Sequence, residues 1–145
     1  MKKYKQKIIP SVKTGELSNN RKSINEYYTK HLQGKNIVNT DTGIRIYFTS
    51  AGKGKLSFGG TIHSKKAAVT KCLYQLLKVA EYNNFGQRKI ADKSNVLGYL
   101  NFKAKVKIDG KLEQARIAVM VKTDGKFYYS HEINTKNKAL PRVSG

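Results

Sequence analysis

The chain has 145 residues, with 29 Lys and Arg against 9 Asp and Glu, a formal net charge of +20. That length suits a single domain, and with 39% hydrophobic and 10% aromatic residues the chain can build a core, which excludes wholesale disorder. No apolar run approaches the ~18–20 residues of a membrane span, no signal-peptide h-region follows the basic start, and a single cysteine excludes an internal disulfide while permitting a reducing compartment.

Residues 1–22 carry seven basic residues and one acid, with Pro10 and Gly15 but no periodicity. This is the pattern of a flexible basic arm. Ser23-Ile24-Asn25-Glu26 fits a capping box, so an ordered domain is expected from residue 23 to 134, with a basic tail over 135–145. The first helix should pass through Tyr27, Tyr28 and Leu32 and stop at Gly34. Residues 36–38 and 44–49 flank Asn39-Thr40-Asp41-Thr42-Gly43, a short hairpin signal. The glycine- and lysine-rich stretch 51–60, with Lys53 and Lys55, reads as a loop and fits neither glycine pattern of a nucleotide site.

Residues 64–81 give the clearest helix. Val69, Cys72, Leu73, Leu76, Leu77 and Ala80 recur at helical spacing and form one apolar stripe. Cys72 lies inside that stripe and reads as a small buried hydrophobe rather than a nucleophile. A loop mixing aromatics with cations, including Arg88 and Lys89, should follow over 82–89.

The last third is a strand meander. Leu100, Phe102, Ala104, Val106 and Ile108 alternate with Asn101, Lys103, Lys105 and Lys107, giving an apolar face and a basic face. Asp109-Gly110 is a two-residue hairpin turn. Pairing across it sets Phe102 opposite Ile117, Ala104 opposite Ala115 and Leu100 opposite Val119. The other face then sets Lys103 opposite Arg116, which is unfavourable unless an anion lies across them. At Thr123-Asp124-Gly125 two registers are open. A three-residue loop pairs Val121 with Phe127, Val119 with Tyr129 and Arg116 with Glu132. A two-residue loop puts His131 and Tyr129 beside Arg116 instead. The first keeps Phe127 and Ile133 on the apolar face and is favoured.

So large a positive charge creates a long-range field suited to a polyanion, and nucleic acid leads. An anionic membrane surface lacks the basic, apolar-faced helix it would need. A merely soluble domain is the plain alternative. Of the nine acids, Asp41, Asp109 and Asp124 belong to turns and Glu26 to a cap, and the rest are scattered, so no two-metal carboxylate cluster assembles. His31, His63 and His131 lie on three elements without zinc spacing, so neither a metal nor any other cofactor is expected.

RNA cleavage needs no metal, because the 2′-hydroxyl supplies the nucleophile. The basic sheet face offers Lys103, Lys105 and Arg116 as phosphate clamps, Glu132 as a carboxylate, Tyr128 as a stacking or proton-donating ring, and His131 as the adjacent titratable group. Lys53, Lys55, Arg88 and Lys89 extend the set of candidate nucleic-acid contacts. The plainer readings are a cross-strand ion pair for Arg116 and Glu132, and a half-buried structural histidine for His131.

Three segments carry a family likeness: Gly98-Tyr99-Leu100-Asn101-Phe102-Lys103-Ala104-Lys105-Val106-Lys107-Ile108-Asp109-Gly110, Ala115-Arg116-Ile117-Ala118-Val119, and Gly125-Lys126-Phe127-Tyr128-Tyr129-Ser130-His131-Glu132. They resemble the mobile-element branch of the barnase–EndoU–colicin–RelE-like nucleases. Related modules occur as domains associated with large polyvalent phage proteins and as C-terminal toxin domains. The likeness spans roughly residues 23–134, and the Tyr-Tyr-x-His-Glu ending is its most specific part. It implies an α+β fold, with N-terminal helices packed on one face of an antiparallel β-meander, barnase- or RelE-like. It also implies a metal-independent endoribonuclease, a toxin or effector with tRNA a common target, and carries over His131, Glu132 and Arg116. The expected setting is a monomer in the cytoplasm of a producing or target bacterial cell, with RNA and a cognate immunity or antitoxin protein as partners. The rival expectation is a non-catalytic RNA- or DNA-binding accessory domain.

Overall fold

A computed structural model describes residues 9–18, 20–50 and 64–136, with 131–136 placed by backbone alone. In chain order the elements are β1 (Ser11–Val12), α1 (Arg21–His31), β2 (Asn36–Val38), β3 (Arg45–Tyr47), α2 (Ser64–Lys71), α3 (Leu73–Val79), β4 (Glu81–Gln87), β5 (Val96–Ile108), β6 (Lys111–Lys122) and β7 (Phe127–Lys136). The strands form one curled sheet in the order β1-β5-β6-β7-β3-β2, with β4 also paired to β5. Lys53, Lys55, His63 and the ends of the chain, residues 1–8 and 137–145, lie outside the described residues.

The frame is the β5–β6 hairpin. Period-two alternation puts Phe102 opposite Ile117, Ala104 opposite Ala115, Leu100 opposite Val119 and Lys103 opposite Arg116, as expected. Asp109 (φ 53°) and Gly110 (φ 82°) both adopt the left-handed backbone that a two-residue primed turn requires. The next turn follows the three-residue register, with Val121 opposite Phe127 and Val119 opposite Tyr129. Beyond Tyr129 that register breaks. Two irregularities insert extra residues into β7, and Arg116 stands opposite Asn134 rather than Glu132. Each bulge adds a residue to one strand only, so a register counted outward from the turn drifts.

The sheet is mixed rather than purely antiparallel, because β1 runs parallel to β5 and β3 parallel to β7. β1 lies within the stretch read as an arm. The Lys107 amide donates to the Pro10 carbonyl at 2.9 Å and the Asp109 amide to the Val12 carbonyl at 3.0 Å. Thr14 donates to the Asp109 carboxylate from its amide at 2.9 Å and its hydroxyl at 2.7 Å. Val12 is the one buried residue of β1, too little apolar pattern to mark a strand in the sequence.

α1 is capped by Asn20, whose side chain accepts the Ser23 amide at 2.8 Å, so the cap lies three residues before the expected one. The 64–81 stretch is two helices broken at Cys72, and its end already belongs to β4. Side chains compete for the helix carbonyls there. The Thr70 hydroxyl donates to the Lys66 carbonyl at 2.8 Å, and the Tyr27 hydroxyl of α1 donates to that of Lys71 at 2.9 Å. The apolar stripe survives the break. Its residues join Ile24, Tyr28 and Leu32 of α1 and Phe102, Val106, Ile117 and Tyr129 of the sheet in one buried cluster. Asn39 is buried in the β2–β3 turn, where its amide donates to the Leu77 and Ala80 carbonyls at 2.7 and 2.9 Å and ties that turn to the end of α3.

Residues 82–87, read as loop, are strand. Tyr82-Asn83-Asn84 is poor in β-formers, and β4 forms because β5 offers it an edge. Gly98 permits this approach: a Cβ there would sit 2.2 Å from the Phe85 ring. The outcome is a strand-dominated, mixed α and β domain.

Candidate nucleic-acid interface

The even-numbered residues of β5 and the odd-numbered residues of β6 share a buried cluster with residues of the helices; the other side carries the odd-numbered residues of β5 from Tyr99 onward and the even-numbered residues of β6. The pairing arranges that second side in rows across the strands. Glu81, Lys103, Arg116 and Asn134 hold successive positions in one row across β4, β5, β6 and β7. Asn84, Asn101, Ala118 and His131 hold the next. Tyr99, Met120, Tyr128 and Tyr47 follow, reaching across to β3.

Lys103 and Arg116 therefore face each other as expected. Arg116 and Lys105 are exposed, and Lys105 lies opposite Gln114. A cavity of about 270 Å³ opens beside Arg116, lined by Asn83, Asn84 and Asn101, with the Asn101 amide donating to the Asn84 side-chain oxygen at 2.9 Å. The β4 bulge at Asn83 builds this cavity, because the extra residue re-aims its neighbours. A second cavity, about 450 Å³, lies where β5 has no neighbour between β1 and β4, and Lys103, Lys105, Glu81 and Ile9 line it.

The remaining candidates disperse. Tyr128 shares the side with Arg116 but stands opposite Met120, four residues along β6, about 13 Å away at the ordinary strand rise. Its hydroxyl donates a short hydrogen bond to Asp124. That bond raises the Tyr128 pKa and lowers that of Asp124, which also accepts the Lys126 amide at 2.8 Å. Tyr128 is thus held by the turn rather than presented to Arg116. His131 takes the register position opposite Ala118, and Glu132 falls in the bulged stretch before Asn134, away from Arg116's partner position.

Arg88 clips its own loop. Its Nε donates to the Val96 carbonyl at 3.0 Å, and Nη2 donates to those of Asp92 and Lys93 at 2.7 and 3.0 Å. Lys89 is exposed, with its ammonium 5.3 Å from the Tyr99 ring centre. Tyr99 is buried beneath this loop and donates to Asp92 at 2.8 Å. Burial pushes the Cys72 thiol up to about 12, and Cys72 lies on the packed side, so it supplies no nucleophile to this face. Among the described residues no three His, Cys, Asp or Glu side chains gather closely enough to hold a metal ion.

Sequence reasoning missed the asparagine cavity and Tyr47. Asn101 was read on the basic strand face, but Asn83 and Asn84 lie in a stretch that reads as loop, and Tyr47 sits on a three-residue strand whose neighbour β7 is distant in sequence. The usable signal was alternation, since Tyr47 lies between the buried Ile46 and Phe48 and so must point to the other side.

Searches of curated proteins and of solved structures return no match. The family model described as large polyvalent protein-associated domain 3 matches residues 15–129. The matched segment takes in α1, α2, α3 and the strands from β2 into β7 as far as Tyr129; it begins after β1 and stops short of His131 and Glu132. It agrees with the likeness to domains associated with large polyvalent phage proteins. The chain belongs to the large polyvalent protein-associated domain 3 family.

Proposed function

We propose that this domain binds nucleic acid on the basic side of its sheet. The observation that carries the reading is the direct opposition of Lys103 and Arg116, with Lys105 exposed beside them. Like charges placed across a strand pair repel, and a phosphate lying over both turns that repulsion into attraction. The net charge of +20 supports the same partner through long-range steering. Binding of a labelled oligonucleotide by the full chain, measured against salt, tests it. The double variant Lys103→Ala/Arg116→Ala should lose about tenfold or more in affinity, and its salt slope should fall by about two, one per phosphate contact. An unchanged slope would move the binding surface elsewhere.

A second reading is favoured by one feature, the placement of His131 opposite Ala118, one row from Arg116. On this reading the domain is a metal-independent endoribonuclease, a toxin or effector of the barnase–EndoU–colicin–RelE-like kind, with tRNA among its targets. The substrate 2′-hydroxyl gives its proton to His131 and attacks phosphorus. The bond to the 5′-oxygen breaks as that oxygen takes a proton from water, and a cyclic phosphate remains. Arg116 and Lys103 neutralise the charge that builds on the phosphoryl oxygens. Incubation with total RNA in EDTA, followed by end-group analysis, is the test. Cleavage lost by a factor of about 10² in His131→Ala, with binding retained, supports it. RNA held tightly and left uncut by the wild-type chain leaves the binding module alone.

A further inference from the structure

The turn end of the same sheet side carries a second patch. Tyr47 and Tyr128 stand opposite each other in the parallel β3–β7 pair, with ring centres 6.1 Å apart and planes at 42°. The Lys126 ammonium lies 5.4 Å from the Tyr47 ring centre, and the Lys122 ammonium lies 4.8 Å from that of Tyr128. Both rings are half-buried. Tyr128 packs on its inner side against a small cluster of Val96, Tyr99, Ala118 and Met120, and its hydroxyl is anchored on Asp124. Tyr128 is therefore held in place, Tyr47 rests against it, and each ring has a lysine ammonium close to it.

We propose that Tyr47 and Tyr128 are a stacking seat for unpaired bases, so that the nucleic acid this domain takes is single-stranded. The inference rests on the binding reading above and adds the class of ligand. A lysine over an exposed ring is a weak contact, weaker than a base stacked on that ring. Lysine is also a flexible point charge. When a base takes the ring, Lys122 or Lys126 swings to the phosphate beside it, so one event satisfies both the apolar and the anionic parts of a nucleotide. Bases inside a duplex keep their faces covered and cannot use the seat. The Arg116 row lies about 13 Å away along the strands, within the reach of a strand of a few nucleotides.

The experiment compares the full chain on a short labelled single strand and on a duplex of the same sequence, with wild-type protein, Tyr47→Leu and Tyr47→Trp. Leucine keeps apolar cover without an aromatic face, and tryptophan enlarges that face. Wild-type protein should prefer the single strand. Tyr47→Leu should weaken single-strand binding about fivefold or more without changing its salt slope, and leave duplex binding as it was. Tyr47→Trp should bind the single strand more tightly, and its emission, free of any other tryptophan in this chain, should be quenched on binding. Equal affinity for both ligands, or an equal loss on both in Tyr47→Leu, overturns the stacking seat while the binding reading stands. Failure to bind either ligand overturns both.

Discussion

Along β5, the even-numbered Phe102, Val106 and Ile108 are buried within a few per cent of complete exclusion, whereas Lys105 and Lys107 on the other side are exposed. Along β6, Ala115, Ile117 and Val119 are buried with the first set, and Arg116 is exposed with the second. A single alternation thus divides two roles. The packed side draws its free energy from burial and must be filled to interior density. The open side is divided along its length: Lys105, Lys107 and Arg116 stand exposed, while Val96, Tyr99, Ala118 and Met120 form a smaller buried cluster towards the 123–125 turn. The aromatic residues divide in the same way. Tyr28, Phe48 and Tyr129 pack against one another with ring centres 5.6–6.3 Å apart, with the Tyr28 hydroxyl on the Thr49 carbonyl at 2.7 Å. Tyr47 and Tyr128 sit on the other side, next to lysines.

The contrast can be broken most severely at Phe102, which is buried at the centre of the packed side. Phe102→Ala should cost about 3–5 kcal/mol, through lost burial and the cavity left behind, measured as a fall in the urea midpoint at constant slope. A cost under about 1 kcal/mol would mean that the side carrying Phe102 is not the core.

A smaller effect is expected at the edge, where Asp109 clamps β1 to the β5–β6 turn. The hydrogen bonds from Thr14 hold its carboxyl below the usual carboxylate range. Its stabilising contribution is therefore present at neutral pH and lost as pH falls through the lowered folded-state pKa. Asp109→Asn suits the left-handed turn position, keeps one oxygen to accept the Thr14 amide, and removes the charge and the second acceptor oxygen. The variant should be modestly less stable than wild type near pH 7, with the two unfolding curves converging below about pH 4. Curves that stay parallel through acid would show that the Thr14 contact does not depend on charge.

The smallest expected change sharpens the comparison most. Lys103→Gln removes a cation that stands between Arg116 on β6 and Glu81 on β4, so the relieved repulsion and the lost attraction offset and the thermal midpoint should stay close to that of wild type, even as nucleic-acid affinity falls. A clear loss of stability would place Lys103 among the groups that hold the fold together.

Much of the frame was legible because its signals are local. The alternation of β5, the Asp109-Gly110 turn and the 69–80 stripe are each read over a few neighbouring residues, and the register from Leu100–Val119 to Ala104–Ala115 followed from the first two. Gly125 likewise set the start of β7, since only a three-residue loop kept Phe127 on the packed side. What escaped was decided between elements. Asn20 displaced Ser23 as the helix cap within one turn of sequence, because several adjacent side chains can reach the same free amides.

The sequence by itself determined that there is a two-sided sheet, which side is apolar, and that Lys103 and Arg116 meet on the other. Only the tertiary structure decided what surrounds that pair. Parallel pairing brings β1 against β5 and β3 against β7, and it puts Tyr47 beside Tyr128. The bulges in β7 place Asn134 opposite Arg116 and His131 opposite Ala118. The physical reason is common to all of these. A parallel neighbour or an inserted residue changes no local periodicity, so its cost and its gain exist only once the distant strands have met.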